Sequence, residues 1–388
     1  MTPLTGTTER LEPRADVAQL APAFGVYVHI PYCISRCPYC DFNTYVGIED
    51  TAPDYVDALL REAAAHPRRE AGSIFVGGGT PSLLDPSLMR RLLGGLRSSF
   101  DVRPDAEVTI EANPETVDVD RLRAFRDAGV NRISFGAQSF APHVLATLGR
   151  AHTAERTGQA VGEARKAGFD NLNLDLIYGT PGETLDDWRV SIERTIALEP
   201  EHVSAYALTI EVGTQFGADV ASGRMPAPGD DDQAEKYELA LDLLAAAGYE
   251  HYEISNWAKP SRACRHNLVY WTQGEYAGLG AGAHGHRDAV RSWNEKAPRT
   301  YIERAPDARA GEERLDERTR LEERVMLRMR LVGGLSFGEA RALLGDGVNL
   351  VAGRLVRDGL LVPDQERLVP TQRGLLLLNE IVAALLGD

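Results

Sequence analysis

The chain reads as an α/β protein: a partial (β/α)6 barrel followed by a C-terminal, mainly helical, winged-helix-like domain. Three observations predict this. Short β-rich runs alternate with amphipathic stretches from residue 24 to about residue 208. Polar and glycine-rich residues recur at the C-terminal ends of those runs, which is where parallel barrels assemble their sites. The rhythm stops near residue 230, and the tail beyond residue 321 reads helix, helix, helix, short hairpin, helix.

The elements follow in order. Residues 1–22 are rich in Thr, Pro, Glu and Arg, have no apolar period, and are predicted to form a disordered lead-in. Strands are predicted over 25–30, 73–77, 107–111, 132–137, 171–177 and 202–208, and helices over 55–65, 86–96, 117–128, 154–167 and 185–198. Such units in succession imply a parallel sheet with right-handed crossovers, so 23–230 is read as the barrel. Residues 231–247 look helical, and 231–298 form an aromatic, His-rich extension in which His266 is expected on a strand. Residues 299–320 are polar and charged, a linker opening the C-terminal domain at 299–388. The hairpin of that domain spans 359–363 and 368–371. Residues 311–388 carry 11 Arg, no Lys and 13 Asp or Glu, so the module is not basic and a packing or partner role is expected rather than DNA binding.

Composition narrows the function classes. The chain has 388 residues, 43% apolar and 26% charged, as in a soluble protein with room for two domains. A net charge of −15 argues against general nucleic-acid binding. No apolar run reaches membrane-spanning length, the N-terminus has no signal-peptide core, and no polybasic patch offers direct lipid contact; a cytoplasmic protein without direct membrane insertion is expected.

The chemistry starts from cysteine. Of the four cysteines, Cys33, Cys37 and Cys40 are spaced C-x3-C-x2-C, and Cys264 stands apart. Clustered thiols favour metal over disulfides. Structural zinc usually has four ligands in paired C-x2-C units. Three thiols suit a [4Fe-4S] cube whose fourth iron has no protein ligand and can take a small molecule. Such a cube can hold the amino and carboxylate groups of S-adenosylmethionine, and one electron then releases a 5′-deoxyadenosyl radical. Gly77-Gly78-Gly79-Thr80-Pro81 ends the second strand, where a side-chain-free backbone can approach a ligand; a tight turn is the plainer reading. Glu111 and Asp175 are carboxylates at the ends of apolar strands, suited to ribose hydroxyls or an amine. Gln138 ends the fourth strand, and Arg150 either binds a carboxylate or pairs with one of those acids. Tyr27, Tyr39 and Phe42 flank the cysteines and would shield a cluster from water.

With these motifs, the chain from about residue 24 onward resembles the radical SAM proteins related to oxygen-independent coproporphyrinogen III oxidase. The resemblance implies Cys33, Cys37 and Cys40 as cluster ligands. It also implies Tyr27, Gly78, Gly79, Thr80, Glu111, Gln138, Arg150, Asp175 and, in a less certain register, Ala207 as S-adenosylmethionine contacts. Two features favour the heme-chaperone branch: Phe42 stands where the oxidase has a further cysteine, and His266-Asn267-Leu268-Val269-Tyr270-Trp271 matches H-N-x-x-Y-W. The implied function is a heme chaperone that binds heme and a [4Fe-4S] cluster with S-adenosylmethionine and delivers heme to respiratory hemoproteins, using an electron donor. No catalytic residue is assigned, and cofactor cleavage is expected to be weak. Two rivals stand beside it: the oxidase itself, decarboxylating coproporphyrinogen III, and an interaction protein keeping a relic cluster. An imidazole can ligate heme iron and aromatics can stack on a porphyrin, which makes His266, Tyr270 and Trp271 the candidate heme contacts. A hydrogen-bonded structural histidine is the plainer reading of His266. His251, His284, His286 and a Cys264 thiolate are further candidate ligands.

Overall fold

The computed structural model of the protein describes residues 17–364 and 366–387, so most of the predicted lead-in, residues 1–16, lies outside the described residues. The end of that stretch is not disordered. Val17–Leu20 form one 3-10 turn, and Val17, Ala18 and Ala21 pack against an apolar cluster containing Tyr252, Leu268 and Leu331.

Six parallel strands run in sequence order: β1 (Phe24–Ile30), β2 (Glu70–Gly78), β3 (Asp101–Ala112), β4 (Arg132–Gln138), β5 (Leu172–Tyr178) and β6 (His202–Ala207). They are near-continuous apolar runs because helices cover one face and the barrel interior the other. Crossover helices are α1 (Ala52–Ala65), α2 (Pro86–Ser99), α3 (Val119–Asp127), α4 (Pro142–Thr147), α5 (Ala154–Lys166) and α6 (Leu185–Ala197). Their starts are locally encoded. Asp85, Asp118 and Thr153 cap the orphan amides of α2, α3 and α5, and Thr184 with Asp187 forms a reciprocal capping box on α6. Val26, Val28, Ile74, Val76, Ile110, Ile133 and Leu174 are fully buried in one continuous core with the helix faces. The predicted strands and helices all exist, with ends shifted by a few residues.

Beyond α7 (Gln215–Ala221) and α8 (Asp230–Ala246), the extension departs from expectation. It is not an appendage: it supplies both flanks of a single twelve-stranded sheet. β7 (Glu250–Glu253) and β8 (Asn256–Ala258) form a hairpin against β6. After α9 (Arg265–Trp271), β9 (Glu275–Leu279) lies parallel to β1. β10 (His284–Arg287) and β11 (Val290–Asn294) follow antiparallel. His266 therefore occupies a helix and not a strand. The expected linker is also structured: α10 (Pro298–Arg304) is followed by β12 (Arg309–Arg314), the charged outer strand of the same sheet. A local pattern of arginine and glutamate conceals a strand of this kind because only its backbone is committed to the sheet.

The helical module starts at α11 (Glu317–Arg328), later than the expected residue 299. It continues through β13 (Leu335–Ser336), α12 (Phe337–Leu344) and α13 (Val348–Arg357). The hairpin β14 (Leu361–Asp364) and β15 (Arg367–Pro370) follows, then α14 (Gln372–Leu376) and α15 (Leu378–Leu386), as a winged-helix-like order requires. It has its own core around Val325, Leu335, Leu355 and Ile381. It abuts the β7 end of the sheet: Val332 donates its amide to Tyr252 O, and Ile254 donates to Arg330 O.

Candidate functional site

The C-terminal ends of β1 to β6 open into a cleft of about 420 Å3 lined by Cys33, Cys37 and Cys40 together with Gly78, Gly79, Thr80, Glu111, Gln138, Arg150, Asp175 and Ala207. The cysteine loop is irregular and held by its own backbone: Cys33 donates its amide to Tyr45 O, and Cys40 to Cys37 O. The glycine run fits beneath it. The amides of Gly79 and Thr80 reach Ile30 O and Tyr32 O at 2.7 Å, and a Cβ at Gly79 would meet Tyr32 O at 2.6 Å and Cys33 Sγ at 3.1 Å. At Gly78 the backbone takes φ +113°, and a Cβ would strike the His29 ring. Those two glycines therefore let the second strand end touch the first.

No disulfide ties the three thiols, and among the described residues no His, Cys, Asp and Glu side chains group as a single-ion site. The cysteines line one wall of a cleft instead. That donor set, soft and spread over a surface, fits a multi-iron cluster better than zinc. Thr80 Oγ1 lies 3.6 Å from Cys33 Sγ, and Arg150 Nη1 donates to Cys37 Sγ at 3.5 Å, so polar groups already face the sulfurs that would become thiolates. Burial pushes the Cys33 and Cys40 thiols up. Arg150 also donates to Gly136 O at 3.1 Å, which fixes it beside Cys37, bridging the cysteine loop and β4, and unpaired with Glu111 or Asp175.

The two carboxylates are held differently. Glu111 accepts the Gly78 amide at 2.9 Å; burial, then the nearby Asp175, raise it to about 8. Asp175 accepts from Ser134 Oγ at 2.7 Å and Asn173 Nδ2 at 2.8 Å, bonds that oppose the upward push of burial without cancelling it. Gln138 has φ 63°, a left-handed conformation rare outside glycine, and lies beside a register shift in β4. The strained backbone turns the end of β4 into the cleft.

Tyr27 lies deeper. It lines a second chamber of about 210 Å3 with Glu111, Ser134, Asp175 and Tyr206, all four of which also line the cysteine cleft. Its hydroxyl bonds His29 Nδ1 at 2.9 Å, while His29 Nε2 bonds Asn43 O at 2.9 Å. A carbonyl only accepts, so Nε2 carries the proton and Nδ1 accepts from the Tyr27 hydroxyl. Asn43 follows the cysteines in sequence, so this chain ties the cysteine loop to Tyr27.

Comparison with known proteins follows the same lines. The radical SAM superfamily model matches residues 27–195, and the HemN C-terminal domain model matches residues 315–377. A heme chaperone HemW of Mycobacterium tuberculosis is 45% identical over 374 residues, covering 94% of this chain and 95% of that protein. The chain belongs to the HemW family of radical SAM proteins. HemW of Bacillus subtilis is 34% identical across 93% of this chain and 99% of its own length. HemW of Escherichia coli is 44% identical over 68% of this chain and 70% of its own. The solved coproporphyrinogen III oxidase HemN of Escherichia coli shares the fold, with a TM-score of 0.80 at 24% identity over 94% of this chain and 90% of that one. Family membership brings the cofactors of radical SAM proteins, a [4Fe-4S] cluster and S-adenosylmethionine, and the thiol wall and polar cleft accommodate both.

The HemW-type segment at 266–271 does not present a heme ligand. His266 is fully buried; Nδ1 bonds Ser73 Oγ at 2.8 Å and Nε2 bonds Tyr270 Oη at 2.9 Å, so neither ring nitrogen is free for iron. Burial, then the charge of Arg132, lowers its pKa to about 3. Tyr270 lines the inner chamber, whereas Trp271 packs against the apolar cluster of Tyr252, Leu268 and Leu331. The expected trio is thus split between two environments. Cys264, read as a further candidate, is buried against Glu107. Ser134 and Asn173, which hold Asp175, and His29, which orients Tyr27, are site residues beyond those expected from the sequence. A polar residue in an otherwise apolar strand was the signal available for all three.

Proposed function

We propose that this HemW-family chain binds heme and passes it to hemoproteins, with a [4Fe-4S] cluster on Cys33, Cys37 and Cys40 and S-adenosylmethionine beside it. The observation that carries the reading is one cleft that brings the three thiols together with Gly78, Gly79, Thr80, Glu111, Gln138, Arg150, Asp175 and Ala207, with Tyr27 in the adjoining chamber. When bound, the cluster supplies a single electron to the sulfonium cofactor. The chain's own residues bind and orient that cofactor: the glycines admit it, the carboxylates meet its cationic and hydroxyl groups, and Arg150 meets its carboxylate.

Heme needs an apolar face, and the mouth of the cleft offers one. Ile34 and Phe42 on the cysteine loop line that mouth and are 63% and 60% exposed. Large apolar groups exposed together mark a binding surface, and the nearby Arg36 suits a propionate. Phe42 also replaces the fourth cysteine expected of the oxidase, which favours the chaperone over oxidative decarboxylation. The remaining parts of the proposal are an electron donor, respiratory hemoproteins as recipients, and the cytoplasm as location. Among the described residues no helix is long and apolar enough to cross a membrane.

The test is one preparation, reconstituted anaerobically and split. Heme titration should give a saturable Soret band at micromolar heme, and a coproporphyrinogen assay should give no product. Absence of heme binding, or robust protoporphyrinogen formation, defeats the reading.

A further inference from the structure

The residues of the 266–271 segment have a use that the buried imidazole makes visible. Asn267 and Tyr270 lie three residues apart on α9, one turn along the same face, and both line the inner chamber with Tyr27, Glu111 and Asp175. Glu111 and Asp175 line this chamber and the cysteine cleft alike, so the two spaces adjoin. Their placement is not loose. His266 holds the Tyr270 hydroxyl through Nε2 and is itself held by Ser73 of β2 through Nδ1. Glu107 of β3 accepts the backbone amides of Arg265 at 3.1 Å and His266 at 3.0 Å, which pins the first turn of the helix to the sheet. An aromatic ladder continues the connection: His266 stacks on Phe75 at 5.3 Å, and Phe75 on Tyr27 at 6.3 Å between centroids.

We propose that Asn267 and Tyr270 form the floor of the S-adenosylmethionine pocket, and that His266 is a positioning residue that aims the Tyr270 hydroxyl. This rests on the assignment of the cleft to that cofactor. An amide and a phenol are neutral hydrogen-bonding groups, so they suit the uncharged nucleoside half, whose hydroxyls they would share with the carboxylates, and leave the charged methionine half to the carboxylates and Arg150. The same geometry leaves this segment no free imidazole nitrogen to offer heme iron.

The test uses full-length, cluster-reconstituted protein and two binding readouts, calorimetry with S-adenosylmethionine or S-adenosylhomocysteine and Soret titration with heme. Asn267→Ala and Tyr270→Phe should each weaken both nucleoside ligands about tenfold, one factor of ten being about 1.4 kcal/mol, and leave heme affinity within about twofold. His266→Ala should match Tyr270→Phe, and the double variant should add nothing to either, which a general packing defect would not produce. His266→Asn, which keeps a polar contact, should recover part of the loss. Cluster iron and thermal midpoint, measured on each variant, separate ligand loss from misfolding. Unchanged nucleoside affinity in folded Asn267→Ala and Tyr270→Phe overturns the inference, as does selective loss of heme binding. Failure of the unmodified, cluster-loaded protein to bind S-adenosylmethionine overturns instead the assignment of the cleft on which it rests.

Discussion

The cysteine loop and helix α9 carry the two most family-specific motifs of the chain, and the structure treats them in opposite ways. The loop after β1 is irregular, partly exposed, held by a few backbone bonds, and offers three free thiols to a cleft. The segment 266–271 is helical, and its histidine is buried with every polar atom partnered. A group meant to meet an external ligand keeps donor capacity in reserve; a group whose capacity is spent inside the fold acts on ligands only through its neighbours. The contrast separates a site that binds from a part that aims.

The strongest way to break that contrast is at sulfur. Cys37→Ser should reduce cluster iron and sulfide to background after anaerobic reconstitution, while Cys264→Ser, whose thiol lies buried against Glu107, should load as the parent does. Iron analysis and visible absorption decide it; equal loss in both variants would erase the distinction.

Heme sharpens it next. Ile34→Ser with Phe42→Ser removes two exposed apolar groups at the cleft mouth. Covering such side chains is worth about 1.5–3 kcal/mol each, so heme affinity should fall by about tenfold or more, whereas His266→Ala should leave the Soret titration nearly unchanged. The reverse outcome would move the heme site to α9.

A smaller effect is expected from pH. The free chain holds the Glu111 proton up to about pH 8, and a cationic ligand favours the ionised form. Affinity for S-adenosylmethionine should therefore rise with pH by up to about tenfold per unit below that value and level off above it. Glu111→Gln should flatten the profile in calorimetric titrations.

The smallest is a slope in stability. Unfolded, Glu111 loses its proton near its ordinary value; folded, it keeps it to about pH 8. The native state thus binds more protons across that window, and the stability contributed by this group falls as pH rises through it. Urea midpoints of Glu111→Gln should decline less between pH 5 and 8 than those of the parent, and parallel curves would refute the assignment.

The parts legible in the sequence are those with local causes. β1 to β6 are apolar runs, the crossover helices carry their own caps, and the thiol spacing is contiguous. β12 reads as linker because Arg309, Glu312 and Glu313 contribute no apolar alternation. α9 reads as a strand because Val269, Tyr270 and Trp271 favour strands, while its anchor, Glu107, is about 160 residues away. The site residues cluster as expected, yet the left-handed turn at Gln138, the Tyr27–His29–Asn43 relay and the inner chamber depend on contacts between distant strands. The split of 266–271 between the inner chamber and an apolar cluster becomes visible only once the segment is known to be a helix.

The bond between His29 and the carbonyl of Asn43 has a consequence for how the protein would transmit a displacement. If filling the cysteine loop shifts Asn43, the imidazole must follow, and the phenol of Tyr27 with it. A displacement at the thiol end of the cleft would then be felt at the Tyr27 phenol, two hydrogen bonds away.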